Sequence, residues 1–300
     1  MGSLGDEQEY AKVLYWGDFG TGKTTDMAYL AKLGQVEWLR VDKGLKPGPL
    51  RRLGLPVDNI RPHDELEPHA LEEMLEGWRG TLHDEPDSIA GICLDTATEL
   101  VARRIEVQAD LSWRDYLAKC RKQHVEPDQS LRYNAADNTM DWYQPVTQEL
   151  TRLIRHMTDL PWHVGIAAQI RRDVDKTSGH VQYGPQVNPA VRGSLIGYCD
   201  LVIETVADGQ WADDAGGDVY IGYPRPRPGR EGKDRFGALP RILVSPTMDR
   251  VIGYIRGELD FKTDPLQERY RETVRLRKAQ EDELLWPIAT ISSRATRAHS

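Results

Sequence analysis

Cysteine is scarce in this chain. Cys93, Cys120 and Cys199 are odd in number and far apart. That pattern supports neither a disulfide framework nor a zinc site, and a reducing cytoplasm is the expected setting. Long apolar runs are missing as well. A stretch such as Ile89–Leu94 is broken by Gly91, whereas a membrane-spanning helix needs about 20 apolar residues. No membrane partner is therefore expected. The opening M-G-S-L-G-D-E-Q-E places acids where a secretory leader needs bases and an apolar core. Asp6 breaks the myristoylation pattern. A basic excess is lacking too: 39 Lys+Arg stand against 47 Asp+Glu, a net charge of −8. That balance argues against bulk, non-specific DNA binding but leaves room for a local basic groove. Internal repeats and low-complexity tracts are absent.

What is present is enough for a core. The 300 residues are 39% hydrophobic and 29% charged, so one large domain or two small ones can fold. Short apolar stretches alternate with helical patterns, which predicts an α/β fold on a parallel sheet. Strands are expected at Val13–Trp16, Val36–Val41, Ile89–Leu94 and His163–Ala168. Later strands, Leu201–Val206 and Val219–Tyr223, should pair around a Gly/Asp-rich turn. Helices are expected at Lys23–Leu33 (stopped by Gly34), Leu71–Arg79, Thr98–Val107, Gln144–Met157 and Leu266–Leu285. Residues 110–143 read as a long polar insertion and 171–192 as a loop. The expected organisation is a tail over 1–10, a main domain over 11–262 and a C-terminal helix and tail over 263–300.

The strongest motif is Gly17-Asp18-Phe19-Gly20-Thr21-Gly22-Lys23-Thr24. It follows a strand and opens a helix, the context a phosphate loop requires. Its glycines let successive N–H groups turn toward phosphate oxygens, and the helix N-terminus adds positive potential. Lys23 would reach the β- and γ-phosphates, and the Thr24 hydroxyl would ligate Mg²⁺. The cradle runs from Gly17 through Thr25. Ile92-Cys93-Leu94-Asp95-Thr96 is the second element. A buried strand ending in Asp95 places a carboxylate at the carboxyl edge of the sheet, where it would hold Mg²⁺ through water. Asp95 or Thr96 would equally serve to cap the next helix.

These residues resemble the RecA-like P-loop ATPases. The Asp95-Thr96 pair is similar to that family's Asp-Ser/Thr, not to the Asp-Glu of AAA+ motors. Partition-type ATPases carry a Lys where this chain has Asp18. Ala168-Gln169-Ile170-Arg171 resembles the N-Q-I-R of RecA, and Lys233-Asp234-Arg235-Phe236-Gly237 is similar to the K-N-R-F-G of RadA. The likeness spans roughly residues 11–256, and the small phage RecA-like ATPases of the Sak type are the nearest in pattern.

The resemblance implies a RecA-like P-loop core with a mainly parallel twisted sheet and helices on both faces. It implies ATP and Mg²⁺ as cofactors and single-stranded DNA as a partner in recombination or annealing. It further implies a homo-oligomer with ATP at subunit interfaces, and a single-strand-binding protein as a possible associate. Gln169 would sense the γ-phosphate, and Lys233 and Arg235 would reach a neighbour's ATP. RecA-like enzymes usually place a glutamate after the second strand. Here Val41-Asp42-Lys43-Gly44 offers only Asp42 to orient the attacking water.

Arg171, Arg172, Lys176 and Arg192 are the expected DNA-binding cations, with Asp173, Asp175 and His180 among them and Tyr183 as a base-stacking group. Arg132-Tyr133-Asn134 and Asp141-Trp142-Tyr143 would form a companion loop or cap the core. The basic 224–230 stretch would touch DNA or a partner, or merely position Lys233 and Arg235. Two other functions fit the same motifs: a P-loop ATPase driving a protein partner, and a nucleotide-gated module that barely hydrolyses.

Overall fold

The computed structural model describes residues 9–64, 66–84, 88–129, 139–212 and 218–278. Five strands form the parallel heart of the sheet. They are β1 (Lys12–Gly17), β2 (Gln35–Arg40), β4 (Ile89–Asp95), β5 (His163–Val174) and β7 (Leu201–Ala212), with the short β3 (Ile60–His63) parallel at one edge. Three later strands, β8 (Asp218–Tyr223), β9 (Lys233–Asp234) and β10 (Leu243–Val244), add antiparallel. The strand order is β10-β8-β7-β1-β5-β4-β2-β3. The sheet is thus mixed and mostly parallel, as the alternating pattern predicts.

Both faces of the sheet are covered, which explains why its central strands are apolar at successive positions. Leu14 and Trp16 point to one face, against α3 (Pro68–Asp84), α4 (Ala97–Gln123), α5 (Thr139–Thr158) and α6 (Pro189–Tyr198). Val13 and Tyr15 point to the other, against α1 (Lys23–Ala28), α2 (Pro47–Arg52) and α7 (Met248–Ile255). The apolar spacing anticipated within α5 is its buried stripe: Val146, Leu150, Leu153, Ile154 and Met157 are all buried. Among the described residues no helix is long and apolar enough to cross a membrane.

Three expectations need correction. The first half of the polar insertion is not a loop, because α4 runs without a break to Gln123. Thr96 caps its start, its Oγ1 accepting from Glu99 N at 3.1 Å, and His124 ends it in a left-handed turn. No Gly or Pro interrupts 97–123, so a charged sequence continues helically past its apolar face. Residues 171–192 are not a loop either. β5 continues outward to Val174 and returns as β6 (Val181–Pro185), a hairpin that projects from the sheet. With little aliphatic alternation, such a hairpin gives no strand signal. Last, the helix after the Gly17–Thr24 motif is α-helical only to Ala28 and tightens to 3-10 over Tyr29–Lys32. The C-terminal helix is seen over 265–278, and the rest of its expected span lies outside the described residues. So do Arg132, Tyr133 and Asn134, and the side chains of Asp141 and Trp142.

Candidate nucleotide and nucleic-acid site

The Gly17–Thr25 loop leaves the carboxyl end of β1, in the middle of the sheet. Gly17 pairs with Gln169 of β5 on one side and Thr205 of β7 on the other. A Cβ on Gly17 would lie 2.2 Å from the Thr205 carbonyl oxygen, so only glycine fits. Gly22 has φ +83° and sits against the Tyr220 ring, 2.9 Å from where its Cβ would be, a conformation glycine adopts without steric cost. Thr21 pins the loop: its Oγ1 donates to Asp18 O at 2.9 Å and lies 3.0 Å from Thr205 Oγ1.

Lys23 folds back under this loop. Its Nζ donates to Gly17 O at 2.9 Å and Asp18 O at 2.6 Å, and reaches Gln169 Oε1 at 3.4 Å. Burial pushes the ammonium down to about 8, opposed by the charges of Asp95, Asp18, Asp26 and Asp42. A phosphate in the cradle would supply the negative charge that loop carbonyls imitate only in part.

Asp95 ends β4 with no solvent exposure. Thr24 Oγ1 donates to its Oδ2 at 3.0 Å. Burial, then the charge of Asp42, pushes its carboxyl up to about 7. Asp42 is brought close by the backbone, since Val41 N and Asp42 N both donate to Asp95 O. Asp42 also lines the loop cavity of about 240 Å³, together with Lys23, Thr24, Gln169 and Tyr220.

The donor set fits a hard divalent cation. Among the described residues Asp95 has no ion pair, although a buried carboxylate needs compensation. Also among them, no group of three or more His, Cys, Asp or Glu could hold a metal alone. A cation between Thr24 and Asp95 would therefore draw its other ligands from phosphate and water, which is the habit of Mg²⁺.

Gln169 joins two regions. Its side chain meets Lys23, while its backbone N donates to Thr98 Oγ1 and its carbonyl accepts from Gln186 N. Beyond it the hairpin carries Arg171, Arg172 and, at the tip, Lys176. Arg171 and Arg192 both pair with Asp173, at 2.6 and 3.1 Å. Among the described residues Arg172 and Lys176 have no ion pair. These two are the uncommitted cations of the hairpin.

Lys233 and Arg235 are not brought to this site. β9 pairs with the start of β7, at the opposite end of the sheet from the phosphate loop. Lys233 Nζ donates to the carbonyls of Ile196, Gly197 and Cys199, closing the carboxyl end of α6. Arg235 pairs with Asp200 at 3.0 Å. Within the chain both support the fold. The 224–230 stretch is likewise held internally: Arg227 and Arg230 both grip the buried Glu204, and their guanidiniums lie over Tyr223 and Tyr183. Tyr183 is thus engaged as a platform within the protein.

Sequence reasoning missed Tyr220, Thr98 and Thr205. Each reaches the site from a separate element by tertiary packing, and no local spacing marks any of them. A scan of protein-family models finds no match to the chain, and a search of curated proteins finds none either.

Proposed function

We propose that the chain is a Mg²⁺-dependent ATPase of the RecA-like type that binds single-stranded DNA. The observation that carries this reading is the convergence of Lys23, Thr24, Asp95 and Gln169, from three separated stretches of sequence, on one cradle at the sheet's carboxyl edge. ATP is the phosphate donor that suits such a cradle. Lys23 would neutralise charge on the β- and γ-phosphates, and Thr24 with Asp95 would hold Mg²⁺. Held there, the metal would supply charge neutralisation to the triphosphate. Asp42, beside Asp95 and open to the cavity, would orient the attacking water. Gln169 links the triphosphate end of the cradle to the base of the hairpin, so that ATP turnover and DNA grip would bias each other. The chain would work as a homo-oligomer with ATP near subunit contacts, alongside a single-strand-binding protein. In that assembly Lys233 and Arg235 would act on a neighbour only by giving up the α6 carbonyls and Asp200.

The test is ATP turnover with and without oligo-dT, in the parent and in a chain with Arg172→Ala and Lys176→Ala. Stimulation by the strand is expected in the parent. In the double variant, the slope of log affinity for oligo-dT against log salt should become shallower by about 0.7 for each lost phosphate contact. Turnover indifferent to the strand would point instead to an ATPase working on a protein partner.

A further inference from the structure

The ladder between β4 and β5 ends at the pair Leu94 and Ile166, because the chain leaves β4 at Asp95 and turns into α4. Gln169 lies three residues beyond that end. Val164 N donates to Ala11 O on the β1 side, and the bonding groups of successive strand residues alternate sides. Gln169 therefore presents its N–H and C=O to the side that β4 has left, where both still need partners. Thr98, in the first turn of α4, supplies one: its Oγ1 accepts from Gln169 N at 2.9 Å. Gln186, just past β6, supplies the other, its N donating to Gln169 O at 2.7 Å. Thr98 follows Asp95 by three residues. Its bond thus ties the Gln169 backbone to the turn that holds Asp95. From that tether Gln169 Oε1 comes within 3.4 Å of Lys23 Nζ, while Asp95 Oδ2 accepts from Thr24 at 3.0 Å.

We propose that Thr98 is the positioning residue for Gln169, holding its amide at the γ-phosphate end of the cradle in fixed register with Asp95. The proposal rests on the ATPase reading above and deepens it. Sheet pairing cannot do this work, because β4 has ended before Gln169 is reached. The hydroxyl acts through the Gln169 backbone and does not line the loop cavity. Valine is the informative replacement, since it keeps the shape and the helix propensity of threonine but loses the acceptor. A cavity of about 610 Å³ is lined by both Thr98 and Gln186, so water can reach the freed Gln169 N–H. The substitution then releases the tether without leaving a buried donor unpaired.

The experiment is steady-state ATP turnover by the full chain with Mg²⁺, each variant read beside a thermal melt. Thr98→Val should lower kcat about tenfold, given that a misplacement of about 1 Å can cost about a hundredfold. KM for ATP should hold, because Lys23 and its loop keep their bonds. Thr98→Ser retains the acceptor and should restore most of the lost kcat. In a Gln169→Ala background, Thr98→Val should cost nothing further, since groups that act through one another are not additive. An unchanged kcat in Thr98→Val, a change confined to KM, an equal loss in Thr98→Ser, or a full additional loss in the double variant overturns the proposal. So does a Thr98→Val chain that no longer melts cooperatively, which would assign the hydroxyl to folding alone. A folded parent without turnover removes the ATPase reading itself, and the proposal with it.

Discussion

Replacing Lys23 with alanine should lower ATP turnover by about 10²–10³-fold or more, the scale seen when one preorganised group that stabilises the transition state is removed. The side chain is well placed for this loss. Its ammonium is buried, within 3.4 Å of Gln169 Oε1, and held by two loop carbonyls that a triphosphate would replace. No other cation lines the loop cavity among the described residues, so nothing stands ready to substitute. The fold should tolerate the change, because the core packing of α1 rests on Met27 and Ala28. Steady-state turnover, read beside a thermal melt, separates lost chemistry from lost structure. Turnover near the parent's in a folded variant would mean that phosphate sits elsewhere.

Asp95→Asn should have two effects of opposite benefit. Mg²⁺-dependent hydrolysis should fall by about two orders of magnitude or more, since a neutral amide neither balances a divalent charge nor orients its water shell. The nucleotide-free protein should become more stable above neutral pH. Burial raises the Asp95 carboxyl from 3.8 to about 7. Between those values the folded chain keeps a proton that the unfolded chain has released, so stability falls as pH rises through that window and levels off above it. Asparagine carries no such penalty. At about 1.36 kcal/mol per pKa unit, the gain at pH 8 is bounded at about 4 kcal/mol, the opposing effect of the Thr24 bond being already contained in the raised value. Chemical denaturation at pH 5 and pH 8 reads it: the advantage of the variant should grow with pH. An advantage that shrinks with pH would mean Asp95 is ionised without cost.

The sheet and the cradle were legible for different reasons. Val13–Trp16 and His163–Ala168 announce themselves because strands buried on both faces must be apolar throughout. The Gly17–Thr24 motif announces itself because its glycines and Lys23 are fixed by local backbone geometry. Asp95 was legible as the charged end of an apolar strand. The hairpin of β5 and β6 was not, because both of its faces meet solvent or charged neighbours and no hydrophobic period marks it. The outer half of α4 was hidden likewise: a helix that leaves the core loses its apolar stripe but not its backbone bonds. The basic 224–230 stretch reads as a free cationic arm until Glu204 is seen beneath it. Glu204 reads as an ordinary strand residue until those two arginines reach it from over 20 residues away. Tyr220 and Thr98 come to the cradle and to Gln169 by tertiary packing alone.

The central claim is a Mg²⁺–nucleotide site built by Lys23, Thr24 and Asp95. It is tested most directly by equilibrium binding of ATP to the full chain, titrated calorimetrically with Mg²⁺ and again with excess EDTA. The account predicts saturable binding at one site per chain that weakens markedly on chelation in the parent, and a much smaller effect of chelation in Asp95→Asn. Binding that ignores both chelation and Asp95, or no binding at all, would contradict it.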